Sequence, residues 1–271
     1  MIKLVATDLD DTLLNHEWKI SQRNIVTIRQ AVESGVKVTL ATGRMAVSCR
    51  RYARELGLDV PIITYHGALI EQGLSGEVLY RKVVPTNLAV DIVENLLNRG
   101  VHTQIFIKDR VFTQKTNQYS DYYCKMAGVI VEEVDFLRVL EKEPEGLEKI
   151  LCIGEESALK QTAEELREIY RDRLHFTSSK PYFFDMVDKD VNKGTALKAL
   201  SEQYNISPDE IMAIGDSIND TEMITFAGLG VAVENAHPNI KKIATHITSS
   251  NNQDGVAKAI EKFILNRESL D

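Results

Sequence analysis

Four stretches of the chain combine residue types that could handle a phosphoryl group and a hard cation. Asp8-Leu9-Asp10-Asp11-Thr12 packs three carboxylates into five residues. Thr42-Gly43-Arg44 sets a hydroxyl and a glycine beside a guanidinium, Lys193 supplies an amine, and Gly215-Asp216-Ser217-Ile218-Asn219-Asp220 adds two carboxylates and a carboxamide. Aspartates two apart at a strand end share a side and can address one site. Taken singly these signals are weak: acidic pairs usually sit in water or cap helices, Thr42 alone reads as a helix cap, and Lys193 alone reads as a surface charge. Taken together, Asp8, Asp10 and Asp216 form an oxygen-rich set of the kind Mg²⁺ prefers over softer ligands, because three acids clustered without a cation repel one another. The Thr42 hydroxyl, nearby backbone N–H groups and the Lys193 ammonium suit a phosphoryl group and its transition-state charge.

Such a set needs elements that bring it together. An apolar run over 2–7 ends at Asp8, and helical spacing through Ile25, Ile28, Ala31 and Val32 follows before Gly35. Residues 36–41 read as a second buried strand, 46–56 as a helix stopped at Gly57, and 60–64 as a third strand. Late in the chain 193–204 reads as helix, 211–214 as strand, 219–227 as helix, 229–233 as strand and 255–266 as a closing helix. Apolar strands alternating with helices imply parallel βαβ units covered on both faces, with a ligand site beyond the carboxyl ends of the strands. Every polar stretch above falls at such an end or opens a helix beside one. In the middle the pattern changes. Strand-like pieces at 77–84, 101–112 (turning at Lys108-Asp109), 129–134, 149–153 and 182–187 interleave with helices at 88–97 and 159–170. The expected architecture is α/β: a Rossmann-like core with a parallel sheet, made of 1–83 and 188–271, split by an inserted α+β domain over 84–187.

Composition bounds the partners. The 32 basic against 40 acidic side chains give a net charge of −8, which disfavours nucleic acid and anionic membrane surfaces. No apolar run reaches membrane-spanning length, and carboxylates at positions 8, 10 and 11 interrupt any leader, so a cytoplasmic location is expected. Cys49, Cys124 and Cys152 are odd in number and scattered, which argues for reduced thiols rather than disulfides or a zinc knuckle. No obligate protein partner is evident.

In order and in register, D-x-D-x-T, the second-strand threonine, the lysine and G-D-x-x-N-D resemble the motifs of haloacid dehalogenase superfamily phosphatases of the Cof type, and the match spans the chain. An insertion between the second and third motifs resembles that family's C2-type cap. The resemblance implies a Mg²⁺-dependent phosphatase acting on small phosphorylated metabolites, such as sugar phosphates or phosphorylated cofactors. It implies Asp8 as a nucleophile forming an aspartyl-phosphate, and Asp10 as the acid that protonates the leaving alcohol and later activates water. It places Mg²⁺ on Asp8, the Asp10 carbonyl and Asp216, with Asn219 and Asp220 supporting, and the phosphoryl group on Thr42, Gly43 and Lys193. Asp10 needs a proton at the right moment, and neighbouring negative charge is expected to supply that need. A phosphomutase or phosphotransferase, a non-catalytic regulator on the same scaffold and a signalling receiver are the alternatives. Receivers are shorter and lack an inserted domain, so the length and the G-D-x-x-N-D unit oppose that alternative.

Several positions stand apart. Asp11 takes the place of a glycine common in relatives, and His66-Gly67-Ala68 the place of Asn-Gly-Ala. His66 reads as structural rather than as a second base, Arg44 equally as a phosphate contact or an ion pair, and Trp18, between His16 and Lys19, as a locally buried indole. Tyr119, Tyr122 and Tyr123, at helical spacing, read as core of the inserted region.

Overall fold

A computed structural model describes residues 1–57 and 61–266. In chain order the strands are β1 (Leu4–Thr7), β2 (Lys37–Leu40), β3 (Pro61–Thr64), β4 (Leu69–Gln72), β5 (Val78–Arg81), β6 (His102–Ile107), β7 (Arg110–Thr113), β8 (Val131–Glu133), β9 (Lys149–Ile153), β10 (Leu174–Thr177), β11 (Phe183–Asp188), β12 (Ile211–Gly215), β13 (Leu229–Ala232) and β14 (His246–Ile247). The helices are α1 (Gln22–Glu33), α2 (Ala46–Leu56), α3 (Thr86–Asn98), α4 (Gln118–Ala127), α5 (Phe136–Leu140), α6 (Glu156–Tyr170), α7 (Lys193–Gln203), α8 (Thr221–Phe226), α9 (Pro238–Ile243) and α10 (Gly255–Phe263).

Leu-Val-Ala-Thr of β1 is buried along its whole length, as a strand covered on both faces must be. It lies inside a parallel sheet ordered β14-β13-β12-β1-β2. Thr7 stands opposite both Ile214 and Leu40, so β1, β2 and β12 finish level and the next residues of each emerge at one edge. An Ala41–Ile63 bridge carries the sheet on to β3, which heads an antiparallel β3-β4-β5 sheet.

The inserted region builds its own sheet, ordered β10-β11-β9-β6-β7-β8. Alternation sorts its strand residues into two layers. Ile105, Ile107, Ile150, Cys152, Phe184 and Met186 pack with helices α3, α5 and α6, whereas Phe106, Leu151, Ile153, Phe183 and Val187 face a second cluster that includes Met45, Ala46, Tyr65 and Leu69 of the core. The same period-two rule sends Lys149 and Asp185 toward the core. β6 and β7 join at Lys108-Asp109, both left-handed (φ 48° and 60°), which matches the twist of a tight hairpin.

The α/β expectation holds, and several bounds shift. The span 219–227 is a short 3₁₀ turn over Ile218–Asp220 followed by α8, because Asp220 turns its side chain back onto the Asp216 and Ser217 amides. The closing helix ends at Phe263, and the 77–84 strand is limited to Val78–Arg81. Val60, expected to open the third strand, lies outside the described residues. Trp18 is a correction: it is 45% exposed at φ 56°, because the Asn15 carboxamide accepts from the Glu17 and Lys19 amides and ties the loop into a turn that points the indole outward. Cys49, Cys124 and Cys152 are free thiols, the first and last buried. Among the described residues no helix is long and apolar enough to cross a membrane.

Candidate active site

The level strand ends bring the sequence motifs together. Asp8 follows β1, Thr42 follows β2 by two residues, and Asp216 follows β12. Lys193 is the first residue of α7, whose start is fixed by a reciprocal cap between Asn192 and Thr195. The Lys193 ammonium, with no exposed surface, donates to Asp8 Oδ1 at 2.5 Å and to Asp220 Oδ1 at 2.6 Å. It is no surface charge. Burial alone would favour losing its proton, but the Asp220 and Asp8 carboxylates outweigh that and hold its pKa above the usual lysine value. The other oxygen of Asp220 accepts from the Asp216 and Ser217 amides at 2.9 Å. This turn needs a glycine before it, since a Cβ on Gly215 would sit 2.6 Å from the Asp220 carboxyl.

Asp216 accepts from Thr12 Oγ1 and Ser217 Oγ, both at 2.7 Å. Asp8, Asp216 and Asp220 each place a carboxylate oxygen within 4.8 Å of the others. Burial, then the Asp220 charge, pushes Asp216 up to about 7. Burial also raises Asp8 well above its ordinary value, against the pull of Lys193. Negative charge therefore exceeds its compensation here, and the donors are hard oxygens, so the cluster suits a divalent cation of the Mg²⁺, Mn²⁺ or Ca²⁺ kind.

Asp10 departs from expectation. Arg44 grips it with both prongs, Nε to Oδ2 at 2.7 Å and Nη2 to Oδ1 at 2.6 Å. Burial would raise the Asp10 pKa, but the Arg44 hydrogen bonds and charge, helped by Lys180 and Lys193, bring it below the usual value. Neighbouring negative charge does not keep this carboxyl protonated, and Arg44 resolves as an ion pair.

Thr42 is not a helix cap, since α2 starts after Met45. Its hydroxyl accepts from the Arg44 amide at 3.1 Å, and its carbonyl accepts from the His66 amide at 3.0 Å. His66 is buried, between Asp185 (Nε2 to Oδ2, 3.4 Å) and Asn219 (Nδ2 to Nδ1, 3.3 Å). Because the Asn219 amide donates to Nδ1, the ring proton belongs on Nε2, facing Asp185. Desolvation holds the imidazole below its ordinary pKa, so it is neutral at pH 7, in keeping with a structural role. Asp11 (φ 56°) and His66 (φ 60°) both occupy the left-handed region, where Asp and His are among the better tolerated side chains.

Above these residues lies a cavity lined on the core side by Asp8, Asp10, Asp11, Thr42, Gly43, Arg44, Ser217 and Asn219, and on the inserted side by Tyr123, Met126, Lys149, Ser179, Lys180 and Phe183. Lys180 reaches Asp11 at 3.1 Å. Of the tyrosine cluster, only Tyr123 is buried and faces this space; Tyr122 instead bonds the Tyr182 hydroxyl at 2.8 Å. The sequence reads Tyr123 only as core of the inserted region, and the other inserted contributors, with Asp185, have no place in the sequence expectations. A lysine opening the buried run KILCI and an aspartate inside FFDMV were the available signals, as charges in strands otherwise committed to burial.

Residues 5–260 match the model of the family described as haloacid dehalogenase-like hydrolase. The chain belongs to that family. The family resemblance of the sequence motifs is thus borne out, and the hydrolase is of the phosphatase type. It is 33% identical over 265 residues to the 5-amino-6-(5-phospho-D-ribitylamino)uracil phosphatase YcsE of Bacillus subtilis, covering 97% of this chain and 96% of the relative. It is 29% identical over 248 residues to the HMP-PP phosphatase of Escherichia coli O6:H1, covering 91% and 89%. A solved haloacid dehalogenase-like hydrolase from Bacteroides thetaiotaomicron superposes with a TM-score of 0.87 at 30% identity, covering 97% of this chain and all of that one.

Proposed function

We propose that this hydrolase cleaves small phosphomonoesters by transferring the phosphoryl group to Asp8 and then to water. The observation that carries this reading is the Lys193 ammonium fixed between Asp8 and Asp220 at the base of the cavity. It leaves one Asp8 oxygen for attack and lowers the repulsion between a carboxylate and an incoming phosphate. Asp8 and Asp216, with the Asp10 carbonyl, would hold Mg²⁺, which supplies further positive charge to the phosphoryl oxygens when bound. Thr42 donates its hydroxyl proton to a phosphoryl oxygen, since its own oxygen already accepts from Arg44.

Asp10 starts as a carboxylate because Arg44 holds it so. That state suits the second half-reaction, in which Asp10 takes a proton from the attacking water. Protonating the leaving alcohol in the first half requires the Arg44 fork to loosen as substrate enters, so that the Asp10 carboxylate first takes up a proton from the monoanionic phosphate ester or from water at the cavity and then passes it to the leaving oxygen. Residues 84–187 act as the specificity-bearing cap: their contribution to the cavity, from Tyr123 to Phe183, meets the leaving group, and the core meets the phosphate.

The test is phosphate release from sugar phosphates, pyridoxal phosphate, flavin mononucleotide, and the 5-amino-6-(5-phospho-D-ribitylamino)uracil and HMP-PP for which the relatives are named, with Mg²⁺, with Ca²⁺ and after chelation. Release is expected with Mg²⁺ alone. Ca²⁺ takes more ligands and draws the second Asp8 oxygen away from attack, so it should inhibit. Equal rates in all three conditions would remove the cation from the reaction, and no release from any ester would sink the hydrolase reading.

A further inference from the structure

Both peptides flanking Gly43 have their carbonyls tied down. Thr42 O accepts from the His66 amide at 3.0 Å, and Gly43 O accepts from the Lys149 ammonium at 2.8 Å. In a trans peptide the N–H points opposite the C=O. Pinning Thr42 O on the His66 side therefore turns the Gly43 N–H the other way, where it meets no protein acceptor among the described residues, and Gly43 lines the cavity. Pinning Gly43 O likewise fixes the Arg44 N–H on Thr42 Oγ1, which frees the hydroxyl proton for donation outward.

The pins form one buried group drawn from two sheets. Lys149 pairs with Asp185 at 2.9 Å, Asp185 faces His66 Nε2, and the His66 ring packs against Gly43, so close that a Cβ there would come within 2.2 Å of it. Lys149 and Asp185 belong to β9 and β11 of the inserted sheet, while His66 and Gly43 belong to the core. Lys149 is thus the link that crosses from the inserted sheet to the phosphate loop.

We propose that Lys149 is a positioning residue: seated by Asp185 and His66, it clamps the Gly43 peptide so that the Gly43 N–H and the Thr42 hydroxyl present together to a phosphoryl oxygen. The clamp is made only when the inserted sheet rests on the core, so a complete phosphate cradle requires closure. This rests on the reading of Thr42 and Gly43 as phosphoryl-binding. It also sets Lys149 apart from the rest of the inserted wall: its loss should weaken every substrate alike, because it acts through the cradle and not on the leaving group.

Removing Lys149 alone strands the Asp185 charge in a buried site, so the test uses Lys149→Gln with Asp185→Asn, whose amides can bond each other while the shorter glutamine falls short of Gly43 O. Lys149→Met with Asp185→Leu is the second variant should the first not fold. Two measures are taken in Mg²⁺: the Kd of inorganic phosphate by calorimetry, and kcat/KM over the substrate panel. The folded variant should bind phosphate at least tenfold more weakly and lose kcat/KM by one common factor with the substrate ranking kept, and Lys149→Arg should recover part of both. Native phosphate affinity in the folded variant would overturn the clamp, as would a reordered ranking, which would put Lys149 on the leaving group. A native chain that binds no phosphate would overturn the underlying reading of the cradle before any variant is made.

Discussion

The parallel sheet and the inserted sheet meet at one cavity, yet they furnish it by different routes. The parallel sheet delivers from its ends: β1, β2 and β12 finish level, and each spends its next few residues on the site. The inserted sheet delivers from its face, through alternate residues of β9 and β11 that are far apart in sequence, together with the 179–180 segment and α4. Strand ends place a fixed short motif at a fixed point, whereas a sheet face presents a surface whose shape depends on many side chains. Chemistry shared by all substrates fits the first arrangement, and discrimination among leaving groups fits the second.

That contrast can be broken most decisively at Asp8. Asp8→Asn is nearly isosteric and should fold, while turnover on every substrate falls by roughly four orders of magnitude or more, read by phosphate release from purified protein. Substantial turnover by the folded variant would move the nucleophile elsewhere. The sheet face predicts a smaller and differently shaped effect. Phe183→Ala or Lys180→Ala should change kcat/KM by about tenfold for some substrates and little for others, so that the ranking reorders. If those variants keep the native ranking while His66 substitutions reorder it, discrimination lies in the core and the division fails.

The smallest effect is on stability. Burial and the Asp220 charge push the Asp216 carboxyl up to about 7 from the ordinary 3.8, so the folded state holds this proton more tightly. In chelator, the native chain should therefore lose several degrees of Tm relative to Asp216→Asn as pH rises from about 4 to about 7 and level off above. The comparison cancels His66, His102, His175 and His246, whose lowered pKa values act in the opposite sense. Added Mg²⁺ should flatten that slope by compensating the carboxylate, as followed by calorimetry. A chelated native chain that keeps a constant Tm difference from Asp216→Asn over this window would mean Asp216 carries no uncompensated charge.

Legibility followed the same division. Asp8, Thr42 and Asp216 are legible because strand-end loops keep site residues contiguous and buried parallel strands advertise themselves as apolar runs, and Lys193 because it opens a helix beside them. The Asp10–Arg44 fork was not readable: both residues were in view, but only three-dimensional proximity shows which charges face Asp10. Lys149 and Asp185 were missed because residues 36 apart on neighbouring antiparallel strands leave no local signature. Trp18 failed for another reason, since local hydrogen bonding by Asn15 overrode the preference of an indole for burial.

That exposed indole has an optical consequence. Trp18 is the chain's only tryptophan, so intrinsic emission comes from one address. Its carbonyl accepts from the Tyr52 hydroxyl at 3.3 Å, and the Arg44 guanidinium sits 5.7 Å from the centre of the Tyr52 ring. A rearrangement of the arginine that holds Asp10 is thus two contacts from the Trp18 backbone, and a ligand that moves it should shift the emission wavelength and acrylamide quenching of the unlabelled protein.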